Sequence, residues 1–273
     1  MPQLIPITDT SDPRLGDFTR LTDHEVRTAD ASGAAPHFIA EGEWVLDRLI
    51  GSAFPVRAVL ITPQRLELIQ TTLARLPEAT AVFIAPQALM EAIAGFDFHR
   101  GVLISGERTP VPRRPIESSR IVIALENVSN PDNVGGIFRS VAGLVGSDHA
   151  SIIIGPGCCD PLYRKAIRVS MGHVFSVPFS RDPHWPASLR DLAAHGFEVL
   201  GLALAPSAVA LRSFTPPPRC ALVLGSEGFG LSPTALNAVT RTIIIPMIGG
   251  VDSLNVGVAA AIALYHLAGG EKR

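Results

Sequence analysis

The sequence predicts an α/β protein in two parts: a smaller N-terminal α/β domain, then a larger domain built on a mostly parallel sheet. Three observations carry this prediction. Near-continuous apolar runs such as Val56–Ile61, Ile121–Leu125 and Cys220–Leu224 read as strands buried on both faces. Segments with helical spacing of apolar residues stand between them, and strands alternating with helices define the α/β class. A stretch at 106–118 with Pro110, Pro112 and Pro115 interrupts the alternation, because proline fixes φ and removes a backbone donor. Residues 1–108 are therefore expected to form one domain, 109–118 a linker and 119–273 the other.

In the first part, residues 11–35 are polar, with helical potential in their centre and no clean apolar stripe. Phe38 to Gly42 lead into a helix through Leu46, Leu49 and Ile50. Val56–Ile61 follows as a strand, and residues 64–76 as a helix on the spacing of Leu66, Ile69, Leu73 and Leu76. A strand at Ala81–Ile84, a helix at 86–93 and a strand at 102–104 complete the unit. In the second part, strands are expected at Ile121–Leu125, 151–154, 174–178, Glu198–Leu202, Cys220–Leu224 and 242–245. Helices fit 134–144, 161–169, 185–195, 233–238 and 255–267. No repeat and no low-complexity tract breaks this order.

Composition narrows the setting. Hydrophobic residues make up 47% and charged residues 18%, which suits a globular core. No apolar stretch reaches the roughly 18–20 residues of a membrane span, and no basic-then-apolar leader opens the chain. The three cysteines, Cys158, Cys159 and Cys220, have neither metal-ligand spacing nor the even count of a disulfide framework. The expectation is a cytoplasmic protein with no resident metal and no membrane partner. The net charge of −2 argues against a broadly basic, nucleic-acid-binding surface. It is unevenly spread: residues 1–110 carry −5 and residues 111–273 carry +3, so any phosphate-binding surface is expected mainly in the second half.

Ligands of open parallel sheets bind beyond the carboxyl ends of the strands, which directs attention to four loops. Residues 126–139 leave a strand through Asn130-Pro131-Asp132-Asn133 and enter a helix, with Asn133 near its cap and Arg139 about two turns in. Gly155-Pro156-Gly157-Cys158-Cys159-Asp160 has Asp160 where a dinucleotide fingerprint needs its third glycine, and reads as a turn. The helix after it carries Arg164 and Arg168 four residues apart, a candidate phosphate-contacting stripe. Leu224-Gly225-Ser226-Glu227-Gly228-Phe229-Gly230 ends an apolar strand with glycines that permit close backbone approach, but lacks the Lys-Ser/Thr of a phosphate loop. The last loop runs from Ile245-Pro246-Met247 to Ser253-Leu254-Asn255, where Ser253 or Asn255 can cap a small-residue helix.

Three of these loops, in this order and spacing, resemble the sequence motifs of the SpoU (TrmH-type) family of RNA ribose methyltransferases, in the SPOUT superfamily. Asn130-Pro131-Asp132-Asn133-Val134-Gly135 with Arg139 is similar to the first motif. Gly225-Ser226-Glu227-Gly228 with Gly230-Leu231-Ser232 is similar to the second, and Ile245-Pro246-Met247 with Ser253-Leu254-Asn255-Val256 and Ala259 to the third. Arg168-Val169-Ser170-Met171-Gly172 also looks like a family segment. The resemblance covers residues 120–268 and extends more weakly to 38–104, which is similar to the substrate-binding domain that many members carry. Asn130 stands where many members have Asp, a change that keeps the proline turn.

The resemblance implies a C-terminal trefoil knot, a homodimer, and S-adenosylmethionine held by backbone groups of the last two loops, with S-adenosylhomocysteine as product. It assigns donor binding to Leu224, Gly225, Glu227, Gly228, Ile245, Met247, Ser253, Leu254 and Asn255. It gives Arg139 the central catalytic place and contact with the RNA phosphate, with Asn133, Glu227, Ser253 and Asn255 positioning the reactants; Arg164 and Arg168 are the further RNA-contact candidates, on their spacing. A free arginine is too weak a base, with a pKa above about 12, so stabilising the developing alkoxide is its milder role. Ribosomal RNA is the expected substrate. A tRNA 2′-O-methyltransferase, a guanine-N1 tRNA methyltransferase and a non-catalytic RNA-binding dimer are the alternatives.

Overall fold

A computed structural model of the chain describes residues 2–19, 36–96, 100–108, 115–226, 228–249 and 253–269. It divides into two units, one of residues 1–112 with 162–175 and the other of 113–161 with 176–273. The strands are β1 (Gln3–Pro6), β2 (His37–Glu41), β3 (Val56–Ile61), β4 (Ala81–Ile84), β5 (Val102–Glu107), β6 (Ile121–Leu125), β7 (Ala150–Ile154), β8 (Phe179–Arg181), β9 (Glu198–Leu202), β10 (Val209–Ala210), β11 (Cys220–Leu224) and β12 (Arg241–Ile244).

The first unit is a five-stranded mixed sheet in the order β1-β4-β3-β5-β2. β1, β4 and β3 run parallel, whereas β5 pairs antiparallel with both β3 and β2. Ile7, Leu15, Phe18, Leu60, Phe83, Met90 and Leu103 form a core on this sheet. Phe38, on β2, packs edge-on to Phe54 (5.8 Å between ring centroids) and stacks on Phe175 (5.4 Å), and aromatic pairs at such separations add to the area they bury. Two strands here were not expected. Gln3–Pro6 is a four-residue edge strand, and most of the stretch from Phe38 to Gly42, read as a lead into a helix, falls in the strand His37–Glu41, whose apolar residues Phe38, Ile39 and Ala40 are buried. The expected helix at 64–76 is two pieces, Pro63–Leu68 and Gln70–Leu73, because Ile69 leaves helical geometry at φ −118°, ψ 26°. Most of the polar stretch 11–35 lies outside the described residues; its start, Pro13–Phe18, is a 3₁₀ helix.

The excursion Leu162–Phe175 belongs to this first unit, although it stands deep in the second half of the sequence. A boundary drawn at the proline-rich stretch alone therefore does not describe the division. The reason is local packing: Phe175 stacks on Phe38, and the Arg48 guanidinium donates to the Met171 carbonyl (2.9 Å).

The second unit is a seven-stranded, all-parallel sheet in the order β10-β12-β9-β11-β6-β7-β8. β6, β7 and β11 are buried along their whole length, which is why they read as unbroken apolar runs. The strand expected at 174–178 is displaced: His173–Phe175 is a 3₁₀ turn and β8 starts at Phe179. Pro178 has no N–H to give a ladder, but its carbonyl accepts from Ile152 N (2.8 Å), so pairing begins at the proline. Among the described residues no helix is long and apolar enough to cross a membrane.

Candidate active site

Three neighbouring parallel strands, β12, β9 and β11, end on the same side of the second unit's sheet. Beyond their carboxyl ends lies a cavity of about 360 Å³, within the range small-molecule sites occupy. Of the residues assigned to the methyl donor, Leu224, Gly225, Gly228, Ile245, Met247, Ser253 and Leu254 line it. Glu227 lies outside the described residues. Asn255 is not among the lining residues but follows Leu254 directly.

Gly225 shows why this wall cannot carry side chains everywhere. Gly225 and Gly230 come so close that a Cβ on Gly225 would lie 2.2 Å from the Gly230 carbonyl. Gly230 N donates to Ser226 O (3.0 Å) and Phe229 N to the Ser226 hydroxyl (3.3 Å), which closes the turn. The turn leaves Phe229 98% exposed at the cavity wall.

A third wall was missed by sequence reasoning. Leu202, Ala203 and Leu204, at the end of β9, line the cavity with Leu236, Ile244, Val256 and Ala259. They are apolar, and sequence reading of strand-end loops looks for glycine, charge and amide. Only the position of β9 between β11 and β12 could have pointed to them.

The first loop meets the last through two asparagines. Asn130, not Asn133, caps the helix Pro131–Leu144: its side chain accepts from Asp132 N (2.9 Å), and Pro131 sets the first helical φ. The helix thus begins earlier than expected, and Asn133 is buried in its first turn. Its Oδ1 accepts from the Asn255 side-chain amide (2.9 Å), while Asn255 Oδ1 caps the helix Val256–Leu267 by accepting from Gly257 N (3.0 Å) and Val258 N (3.2 Å). Asn255 rather than Ser253 is the cap. Gly257 keeps the approach open, since a Cβ there would lie 3.2 Å from Asn255 Oδ1 and 3.6 Å from Asn133 Oδ1.

Arg139 stands six residues after Asn133 on the same helix, about 9 Å along its axis. It is exposed and makes no hydrogen bond or ion pair with any described residue. Arg164 and Arg168 fall in the first unit instead. They converge on the buried carboxylate of Glu41, Arg168 at 3.2 Å and Arg164 at 3.7 Å, and Arg164 also lies 3.9 Å above the Phe96 ring. The structure therefore puts Ser253 on the cavity wall, links Asn133 through Asn255 to the segment beside it, puts Arg139 on the Asn133 helix, and groups Arg164 and Arg168 in the other unit.

An all-parallel sheet whose adjoining strand ends open into a cavity, with Arg139 exposed and unpartnered among the described residues on a neighbouring helix, has the layout of an α/β ligand site. Residues 120–265 match the SpoU rRNA methylase family, and the chain belongs to that family. It is 38% identical over 268 residues to a tRNA/rRNA methyltransferase of Mycobacterium bovis, covering 95% of this chain and 90% of that one. It is 32% identical over 159 residues to the 23S rRNA (guanosine(2553)-2′-O)-methyltransferase RlmP of Bacillus subtilis, covering 58% of this chain and 62% of that one. An AdoMet-bound rRNA methyltransferase from Sinorhizobium meliloti superposes with a TM-score of 0.77 at 25% identity, over 97% of each chain.

Proposed function

We infer that this protein transfers a methyl group from S-adenosylmethionine to a ribose 2′-hydroxyl of RNA, and that the RNA is ribosomal. The observation that carries the reading is Arg139: an exposed guanidinium with no described partner, on the helix whose first turn is pinned to the cavity by Asn133 and Asn255. Family membership and the 23S rRNA 2′-O activity named for the Bacillus subtilis relative support it. The residues fit the donor. Leu202, Leu204, Leu224 and Leu231 supply apolar walls for a flat ring, and Gly225, Gly228 and Gly230 keep side chains off the lining so that a ligand can approach the main chain closely.

When bound there, the donor supplies an electrophilic methyl group on sulfur. The chain's own part is alignment and charge. Arg139 binds the RNA phosphate and stabilises the negative charge that develops on the target oxygen as its proton passes to solvent and S-adenosylhomocysteine leaves. Asn133 and Asn255 keep the Arg139 helix in register with the cavity, and Glu227 and Ser253 help place the reactants. Rigid placement of this kind accounts for several kcal/mol of barrier lowering, on the order of 7–11 in well-aligned systems.

The active form is a cytoplasmic homodimer. Helix Val256–Leu267 buries Val256, Ala260, Ala263, Leu264 and Leu267 within its own chain, yet Val258, Ile262 and Tyr265 stand exposed on another face at i, i+4 and i+7. A second copy covers that face, and Ile262→Asp should give a monomer in a light-scattering measurement. The C-terminal segment follows a knotted path. In support, β12 inserts between β10 and β9, and His266 Nε2 donates to the Phe214 carbonyl (2.6 Å). Residues 1–108 hold the RNA, with Arg164 and Arg168 as phosphate contacts.

Mapping ribose methylation in cellular RNA with and without the gene tests the reading. One 23S rRNA 2′-O-methyl group should disappear and return on complementation with wild type but not Arg139→Ala. A lost base methylation, or a lost tRNA modification, would replace it.

A further inference from the structure

Glu126 has no part in the chemistry above, yet its carboxylate is held by three hydrogen bonds beside the cavity segment. It follows β6 directly and is buried, 3% exposed. Its Oε1 accepts from Trp185 Nε1 (2.7 Å) and from the Ser232 hydroxyl (2.8 Å), and its Oε2 accepts from Ser232 N (2.8 Å). Its own backbone N donates to the Leu224 carbonyl (2.9 Å). None of the side-chain partners is a cation. A buried carboxylate is costly to desolvate, and three N–H and O–H donors make it tolerable without removing that cost.

Only a carboxylate suits this arrangement. All three groups donate, and an ionised carboxyl is acceptor-only, whereas a glutamine would turn its NH₂ toward at least one donor. The grip falls twice on one residue, Ser232, which directly follows the cavity-lining residues Gly228 to Leu231 and caps the helix Pro233–Leu236 by accepting from Ala235 N (3.1 Å). Trp185 braces the other side: a Cβ on Gly155 would lie 3.1 Å from its ring. Four residues beyond Glu126, Asn130 starts the helix that carries Arg139.

We propose that Glu126 is a positioning residue that sets the 225–231 wall of the donor cavity against the start of the Arg139 loop, so that one carboxylate holds both in register. The proposal rests on reading the cavity as the methyl-donor site. The wall populates its binding-competent form only while Ser232 is held, and the apparent donor affinity scales with that populated fraction.

Calorimetry with S-adenosylmethionine, steady-state methyl transfer and thermal melting test it on wild type, Glu126→Gln, Ser232→Ala and Trp185→Phe. Glu126→Gln should raise both the donor Kd and the donor KM about tenfold, the competent fraction falling to about a tenth, and leave the KM for RNA within about twofold. Ser232→Ala keeps its backbone N–H on Oε2 and should show a smaller rise of about threefold, and Ser232→Thr should recover it. Trp185→Phe leaves Ser232 held and should lower the melting temperature without changing donor Kd. The proposal is overturned if Glu126→Gln melts lower but binds donor as wild type does, or if donor and RNA KM rise together. Should Glu126→Gln not fold, an unchanged donor Kd in Ser232→Ala overturns it. Absence of donor binding in wild type would instead overturn the cavity reading itself.

Discussion

Arg139 and the Arg164–Arg168 pair stand in opposite electrostatic situations. Arg139, on the second unit, meets no described acid and faces solvent. Arg164 and Arg168, on the first unit, share the buried carboxylate of Glu41. An unpaired guanidinium is ready for an anion that arrives with substrate. A paired one must exchange its partner, so it gives less affinity per contact but presents its charge in a fixed place. The difference suggests a division of labour, with Arg139 acting on the reacting group and the pair acting on the RNA backbone.

The sharpest way to break this comparison is Arg139→Ala. Methyl transfer should fall by about 10²–10³-fold or more, the usual scale for losing a charge stabiliser, while donor affinity stays within about twofold. Calorimetry beside a radiolabelled-methyl assay checks both, and near-wild-type turnover would remove Arg139 from the mechanism. Next in size is Asn255→Ala, which strips the cap from the Val256–Leu267 helix and leaves buried Asn133 without that donor. A loss of about 1–3 kcal/mol in urea unfolding is expected, with activity lost in step. Unchanged stability would mean that the Arg139 helix does not depend on this anchor.

Glu41→Gln probes the paired side. It frees both guanidinium groups, so RNA affinity at low salt should rise about two- to fivefold, and log K should fall more steeply with log salt by about one. A filter-binding salt series checks this, and an unchanged slope would exclude Arg164 and Arg168 from RNA contact. The smallest effect concerns another paired arginine, Arg57, which donates to Asp17 (2.8 Å) beside Ser105 (2.6 Å). Burial pushes the Asp17 carboxyl up, but hydrogen bonds from Arg57 and Ser105 and the charges of His37 and Arg57 outweigh it and hold it below its ordinary value. A depressed carboxyl stabilises the fold above its unfolded pKa, near 3.9, and loses that contribution as pH falls through the lower folded value. Urea midpoints measured below about pH 4 should therefore decline more in wild type than in Asp17→Asn.

Much of the second unit was legible in the sequence because fully buried parallel strands print themselves as apolar runs; Ile121–Leu125 and Cys220–Leu224 are found where they were expected. The glycines at 225, 228 and 230 and the presence of a cap at Ser253 or Asn255 were legible because their chemistry is local, although which of the two caps was not. What escaped was non-local. Phe38–Ala40 looked like a helix lead-in because its strand character comes from pairing with β5, more than sixty residues on. The excursion 162–175 carries no sign of its allegiance, which is settled by Phe175 finding Phe38. Leu202–Leu204 became a cavity wall only through sheet order, and Glu126 gained meaning only when Ser232 and Trp185 closed on it.

The bond between Asn133 and Asn255 joins residues 122 positions apart. During synthesis the first asparagine leaves the ribosome long before the second is made, and at about 5–20 residues per second the gap lasts on the order of ten seconds. Through that interval Arg139 sits on a helix whose anchor does not yet exist. The nascent chain is therefore expected to have no competent site until Asn255 has emerged, so the Arg139 helix stays idle through the interval that separates the two asparagines.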